Sequence, residues 1–207
     1  MTGYYGKVST HGDFVSRRLS AHLVQAWDLW LQDCMRASQE ALGAAWLERY
    51  LNSPVWRFAI APGVLGPEGL GGVMMPSVDR VGRYFPLVVG TPGAPSLLDW
   101  FHEQAAWYDV IENLARESLN PEFSIARLDS APEPIKMLPA PAMGATAWRL
   151  PLGEDMSAVV AGAVLHGHTL WWTEGGPFVE SSMQVHPGMP HARAFTMMLD
   201  SSDSISS

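Results

Sequence analysis

The chain has 207 residues, 47% hydrophobic and 16% charged, with nine tryptophans, one cysteine and a net charge of −8. Such a chain can bury one sizeable and largely aromatic core. Lone Cys34 excludes an intrachain disulfide and a cysteine-based metal site. Residues 1–93 hold eight Lys/Arg against seven Asp/Glu, and residues 94–207 five against fourteen, so the halves carry +1 and −9. A chain this acidic, without a basic stripe, is excluded from binding nucleic acid by counterion release.

Residues 3–8 read as a first strand, and the segment from Met1 to Lys7 lacks the apolar core of a signal peptide. After His11-Gly-Asp13, Leu23, Trp27, Trp30, Leu31, Cys34, Ala41 and Leu42 recur at helical spacing. Ser20 is placed to cap that helix, over 20–42, and Gly43 to end it. Asp13 suits a turn or cap before it. A short helix over 44–51 stops before Pro54. In residues 55–61, Trp56, Phe58 and Ile60 alternate with Val55, Arg57, Ala59 and Ala61, which describes a strand with a heavily buried face. Trp56 is expected in the core, and Arg57 in an ion pair with a carboxylate on a neighbouring strand.

Two apolar runs follow, 71–77 and 84–90, around Pro76-Ser-Val-Asp-Arg-Val-Gly-Arg-Tyr-Phe-Pro86. Connections this short imply an antiparallel meander. Asp79, Arg80 and Arg83 at its centre are costly to bury unless they pair with one another or meet a partner. Pro92-Gly-Ala-Pro95 breaks the chain before a helix over 97–116. Ser96 and Asp99 form its capping box, and Leu98, Phe101, Ala105, Tyr108, Ile111 and Ala115 its apolar face. Residues 129–144 contain several prolines and read as a surface loop, a possible subdomain seam. Residues 145–150 read as a short strand, while 156–165 are ambiguous by periodicity and too short to span a bilayer. A strand over 168–174, a partner for it over 178–185 and a short helix over 190–199 complete the fold, with a frayed tail at 201–207. The fold class expected is α+β: a single domain over 1–200, a mostly antiparallel sheet covered by helices.

Four blocks, Gly3-Tyr-Tyr-Gly-Lys-Val8, His11-Gly-Asp-Phe-Val15, Ser53-Pro-Val-Trp-Arg-Phe-Ala-Ile-Ala-Pro-Gly63 and the charged turn at 76–86, occur in the order found in the TagF (ImpM) family of type VI secretion accessory proteins. The chain resembles that family over its first ninety residues, and more loosely beyond, through Trp171-Trp-Thr-Glu-Gly175 and residues 191–199. The resemblance implies a post-translational repressor of type VI secretion that binds the forkhead-associated (Fha) scaffold protein of the apparatus. Some relatives carry a fused metal-dependent phosphatase. No Asp-rich phosphatase motif is present here, so any such role is expected to lie with another protein.

Catalytic patterns are sparse. There is no Gly-x-Ser-x-Gly elbow, no activated cysteine motif and no phosphate-cradling loop followed by Lys-Ser/Thr. His166 and His168, two apart, could face one side of a strand and share a metal. The competing reading is two solvated histidines beside turn residue Gly167, and the thin ligand set favours it. No cofactor and no metal are expected. The leading expectation is a cytoplasmic, non-enzymatic regulator acting by protein contact, with Asp79, Arg80, Arg83, Tyr84 and Arg57 as candidate partner-binding residues. The alternative is a small-ligand or phosphopeptide sensor in which Arg57, Arg80 and Arg83 form an anion-binding cluster. A hydrolase with a dispersed site is a distant third.

Overall fold

A computed structural model describes residues 1–93, 95–136 and 165–201. The alternation along strand β3 (Trp56–Ile60) sets the layers, because both of its sides are buried. Its neighbours are β4 (Gly69–Met75) and β6 (His168–Thr173), beyond which lie β5 (Leu87–Gly93) and β7 (Ser182–Pro187). Two N-terminal strands, β1 (Gly3–Gly6) and β2 (Val15–Arg17), extend the β5 side. The seven strands are ordered β2-β1-β5-β4-β3-β6-β7, with every pairing antiparallel. The β3–β4–β5 meander is the one the short connections imply. Its last strand starts three residues later than expected, because 84–86 still belong to the turn.

Helices cover both faces. On the side of Trp56, Phe58 and Ile60 lie α1 (Ala21–Leu42), α2 (Trp46–Leu51) and α6 (Ala192–Leu199), through Trp27, Leu31, Tyr50, Phe195 and Met198. The ring of Phe58 lies 4.9 Å from Trp27 and 5.0 Å from Trp171, centroid to centroid. Such contacts add about 0.5–1.5 kcal/mol each beyond area burial. On the side of Ala59, Val73 and Val89 lie α3 (Leu97–Glu103), α4 (Ala105–Glu117) and α5 (Ala126–Asp129). Gly71 lets Trp100 of α3 lie flat on the sheet, since a Cβ there would fall 2.5 Å from the indole. Tyr108 of α4 donates to the carbonyl of Phe58 at 2.8 Å and fixes the helix to the central strand. The fold is α+β, a layered sandwich around an antiparallel sheet.

Ser20 accepts from Leu23 N–H, and Ser96 and Asp99 form the reciprocal box, so both long-range helix starts follow their capping residues. The helix over 97–116 is two helices. It breaks at Gln104, whose buried amide donates to the carbonyl of Ile135 at 3.0 Å and accepts from its N–H at 2.9 Å. The break rotates the apolar face: Leu97, Trp100, Trp107, Tyr108, Ile111 and Ala115 are buried while Ala105 is exposed. Strand β2 and helix α5 were not expected. The strand expected at 145–150, the ambiguous run up to 164, residues 137–144 of the Pro-rich loop and the tail from 202 lie outside the described residues.

Candidate partner-binding site

Between β4 and β5 the chain makes a turn whose conformation is set by one carboxylate. Asp79 Oδ1 accepts from the N–H of Val81 at 3.0 Å and of Arg83 at 2.9 Å. Asp79 Oδ2 accepts from Arg83 Nε at 2.7 Å and from Lys7 Nζ. Gly82 N–H donates to the carbonyl of Asp79 at 3.0 Å, and its left-handed φ of +87° turns the chain back so that the carbonyl of Arg83 accepts from Asp79 N–H at 3.0 Å. Asp79 is 3% exposed and Lys7 4%. Burial alone pushes a carboxyl pKa up. Here the Lys7 ammonium, the Arg83 guanidinium and the two N–H donors outweigh it and hold Asp79 well below the usual carboxylate range.

This arrangement ties three of the four sequence blocks together. Ser77 donates from Oγ to the carbonyl of Lys7 at 2.7 Å. Tyr50 of α2 donates to the Ser77 carbonyl at 2.9 Å and accepts its N–H at 3.0 Å. The loop between β1 and β2 closes over the turn: Arg80 N–H donates to the carbonyl of His11 at 2.9 Å, and the Arg83 guanidinium to that of Gly12. Phe14 stacks on Tyr5 at 5.6 Å, meets Phe85 edge-on at 4.9 Å and covers the Lys7 ammonium, 4.7 Å from its ring centre. Asp13 accepts from the next N–H at 2.9 Å, a local turn role; β2, rather than the long helix, follows it.

The candidate residues therefore separate. Asp79 faces inward, which corrects its assignment to a contact surface: a carboxylate closed in by four donors has nothing left to offer a partner. Arg83 is anchored at one end, yet 57% of its side chain is exposed. Arg80 is exposed, and among the described residues its guanidinium has no ion-pair partner. Tyr84 is exposed on one side and packs edge-on against Trp46 and Tyr50 of α2 on the other. Arg57 is elsewhere. It points to the opposite helical layer, where its Nε donates to Glu112 at 2.8 Å and another guanidinium nitrogen to Asp109 at 2.8 Å, both on α4 rather than on a neighbouring strand. The three arginines do not converge, which overturns the proposed anion-binding cluster.

Lys7 is the member missed in the sequence. Its signal was a single cation between Gly6 and Val8 in an otherwise apolar strand, pairing across more than seventy positions with an acid in another cluster. Outward, the site offers Arg80, the free side of Arg83, and three apolar side chains: Phe14 at 43% exposure, Val81 at 66%, and Tyr84. Reactive chemistry is absent from this set. Burial, with Asp33 adding to it, pushes the Cys34 thiol up to about 12, which keeps it unreactive. Gly167 between His166 and His168 sits at φ +71° in a turn. Among the described residues no group of three or more His, Cys, Asp or Glu could hold a metal ion.

A family model described as the TagF N-terminal domain, type VI secretion system-associated, matches residues 3–134, a span that contains every residue of this site. Among solved structures, the crystal structure of PA0076 from Pseudomonas aeruginosa PAO1, at 2.05 Å resolution, is similar at 38% identity and a TM-score of 0.88. The match covers 97% of this chain and 94% of that one. No curated protein matches.

Proposed function

The chain belongs to the TagF family of type VI secretion-associated proteins, and from that premise we propose that it is a cytoplasmic, non-enzymatic repressor that acts by binding the forkhead-associated scaffold of the apparatus. The contact surface is the outer side of the charged turn: Arg80, Val81, Arg83 and Tyr84, with Phe14 beside them. The observation that carries this is the division of labour at Asp79. A buried carboxylate fixes the turn from inside, and a fixed loop loses little conformational freedom when a partner docks. Arginine and aromatic side chains are the groups in which binding energy concentrates. Among the described residues no helix is long and apolar enough to cross a membrane.

The reading is tested by calorimetric titration of the purified Fha-like scaffold from the same bacterium with this protein. A parallel assay measures release of a type VI substrate to the medium with and without overexpression. Saturable binding together with reduced release supports the proposal. Absence of binding with both proteins folded, or unchanged release, contradicts it.

A further inference from the structure

The chemistry of the proposed contact surface can be read further, on the premise that the turn is where a partner docks. Asp79 is satisfied without its outermost donor: Lys7 neutralises it from the buried side, and the N–H groups of Val81 and Arg83 occupy its other oxygen. Arg83 reaches the same carboxylate from outside, with more than half of its side chain in solvent. Arg80 is three residues earlier on the rim, with no ion-pair partner among the described residues. The buried Lys7 ammonium touches both Asp79 and the face of Phe14.

We infer that the strip running from Phe14 past Arg80 and Arg83 to Tyr84 receives a short acidic segment of a protein partner that also bears an apolar side chain. A carboxylate of the segment takes the guanidinium of Arg80, and a second shares or takes over that of Arg83 from Asp79. The segment's apolar side chain rests on Phe14 or on Val81 and Tyr84. Charge selects the class. The chain as a whole carries −8, so a general acidic surface is repelled, and only a segment aimed at this cationic rim gains. Arginine's fork suits carboxylate in two-point contact. Exchange of one carboxylate for another at Arg83 leaves Asp79 with Lys7 and two N–H donors, so no buried charge is left unpaired.

The test uses the full chain and four fluorescently labelled synthetic peptides read by anisotropy. One alternates Asp/Glu with Leu/Phe; in two others Gln or Lys replaces the acids; the fourth carries phosphothreonine in a neutral background. The acidic peptide is expected to bind about tenfold or more tighter than the Gln and Lys peptides and to weaken as salt rises. Arg80→Glu is expected to abolish that preference at an unchanged melting temperature. Equal affinity for the acidic and Gln peptides, an unaltered Arg80→Glu variant, or binding of the phosphothreonine peptide alone overturns the inference. Scaffold binding by the same variant distinguishes the failures. If Arg80→Glu loses the scaffold but the peptides show no acidic preference, the docking surface stands and only its chemistry falls. If the variant keeps the scaffold, the location falls as well.

Discussion

Arg57 and Arg83 are both arginines paired to two acceptors on this chain, yet they leave opposite surfaces. At Arg57 the guanidinium lies between two carboxylates of α4: 16% of its side chain is exposed, against 13% for Glu112 and 63% for Asp109. At Arg83 the carboxylate is the inner member: the Asp79 side chain is fully buried, and the cations approach it from two sides. When the acid is inside, a cation is displayed. At Arg57 the displayed group is an acid, Asp109, while Glu112 is as enclosed as the guanidinium it holds. The same residue types within one sheet thus give an outward-facing basic rim at the turn and an internal clamp between β3 and α4.

The largest effect expected is at the residue beside Arg57 that faces the other way. Trp56 is fully buried and donates to the carbonyl of Met198 at 3.1 Å, so Trp56→Ala should cost about 3–5 kcal/mol and show as loss of soluble protein or a large fall in urea midpoint. A variant that folds normally and loses only scaffold binding would place Trp56 at an interface instead.

Next is Lys7→Met, which removes the buried partner of Asp79 and should cost about 3 kcal/mol, or roughly 6–12 °C in melting temperature for a chain this long. A change within about 1 °C would mean that Arg83 alone satisfies Asp79.

Arg57→Met leaves Glu112 with Arg116 at 2.7 Å and should cost about 1–2 kcal/mol, with no effect on scaffold affinity. An affinity loss at unchanged stability would transfer the binding surface to the α4 side and break the contrast.

The pH response separates the two sites further. The depressed Asp79 pKa contributes stability that is fully present above the unfolded carboxylate value, about 3.9, and lost as pH falls below it toward the folded value. The stability gap between the protein and Asp79→Asn should therefore be constant from pH 7 to about 5 and narrow below about 4. A gap that widens on acidification would mean Asp79 is not held ionised by the fold.

Much of this fold could be read from the residues. Ser20, Ser96 and Asp99 announced their helices because capping is a local interaction, and the alternation at 55–61 announced β3 because both layers press on it. Gln104 was unreadable: its break depends on Ile135, which periodicity cannot see, and Phe101, Ala105 and Tyr108 keep helical spacing across it. Strand β2 is three residues, of which Ser16 and Arg17 are exposed, too short to build an apolar pattern. The turn at 76–86 was legible as a site, but its polarity was not. Which charge in a cluster points inward depends on Lys7, brought beside Asp79 only by the pairing of β1 with β5.

The central claim, that an internally fixed turn displays a docking rim, is tested most directly at Arg80, whose side chain makes no hydrogen bond or ion pair among the described residues and whose backbone bond to His11 survives substitution. Calorimetric titration of the Fha-like scaffold with the protein and with Arg80→Ala, each also melted alone, is the measurement. The account predicts melting temperatures that agree within about 1 °C and an affinity for the variant that is about tenfold or more weaker. Equal affinities on folded protein would contradict it.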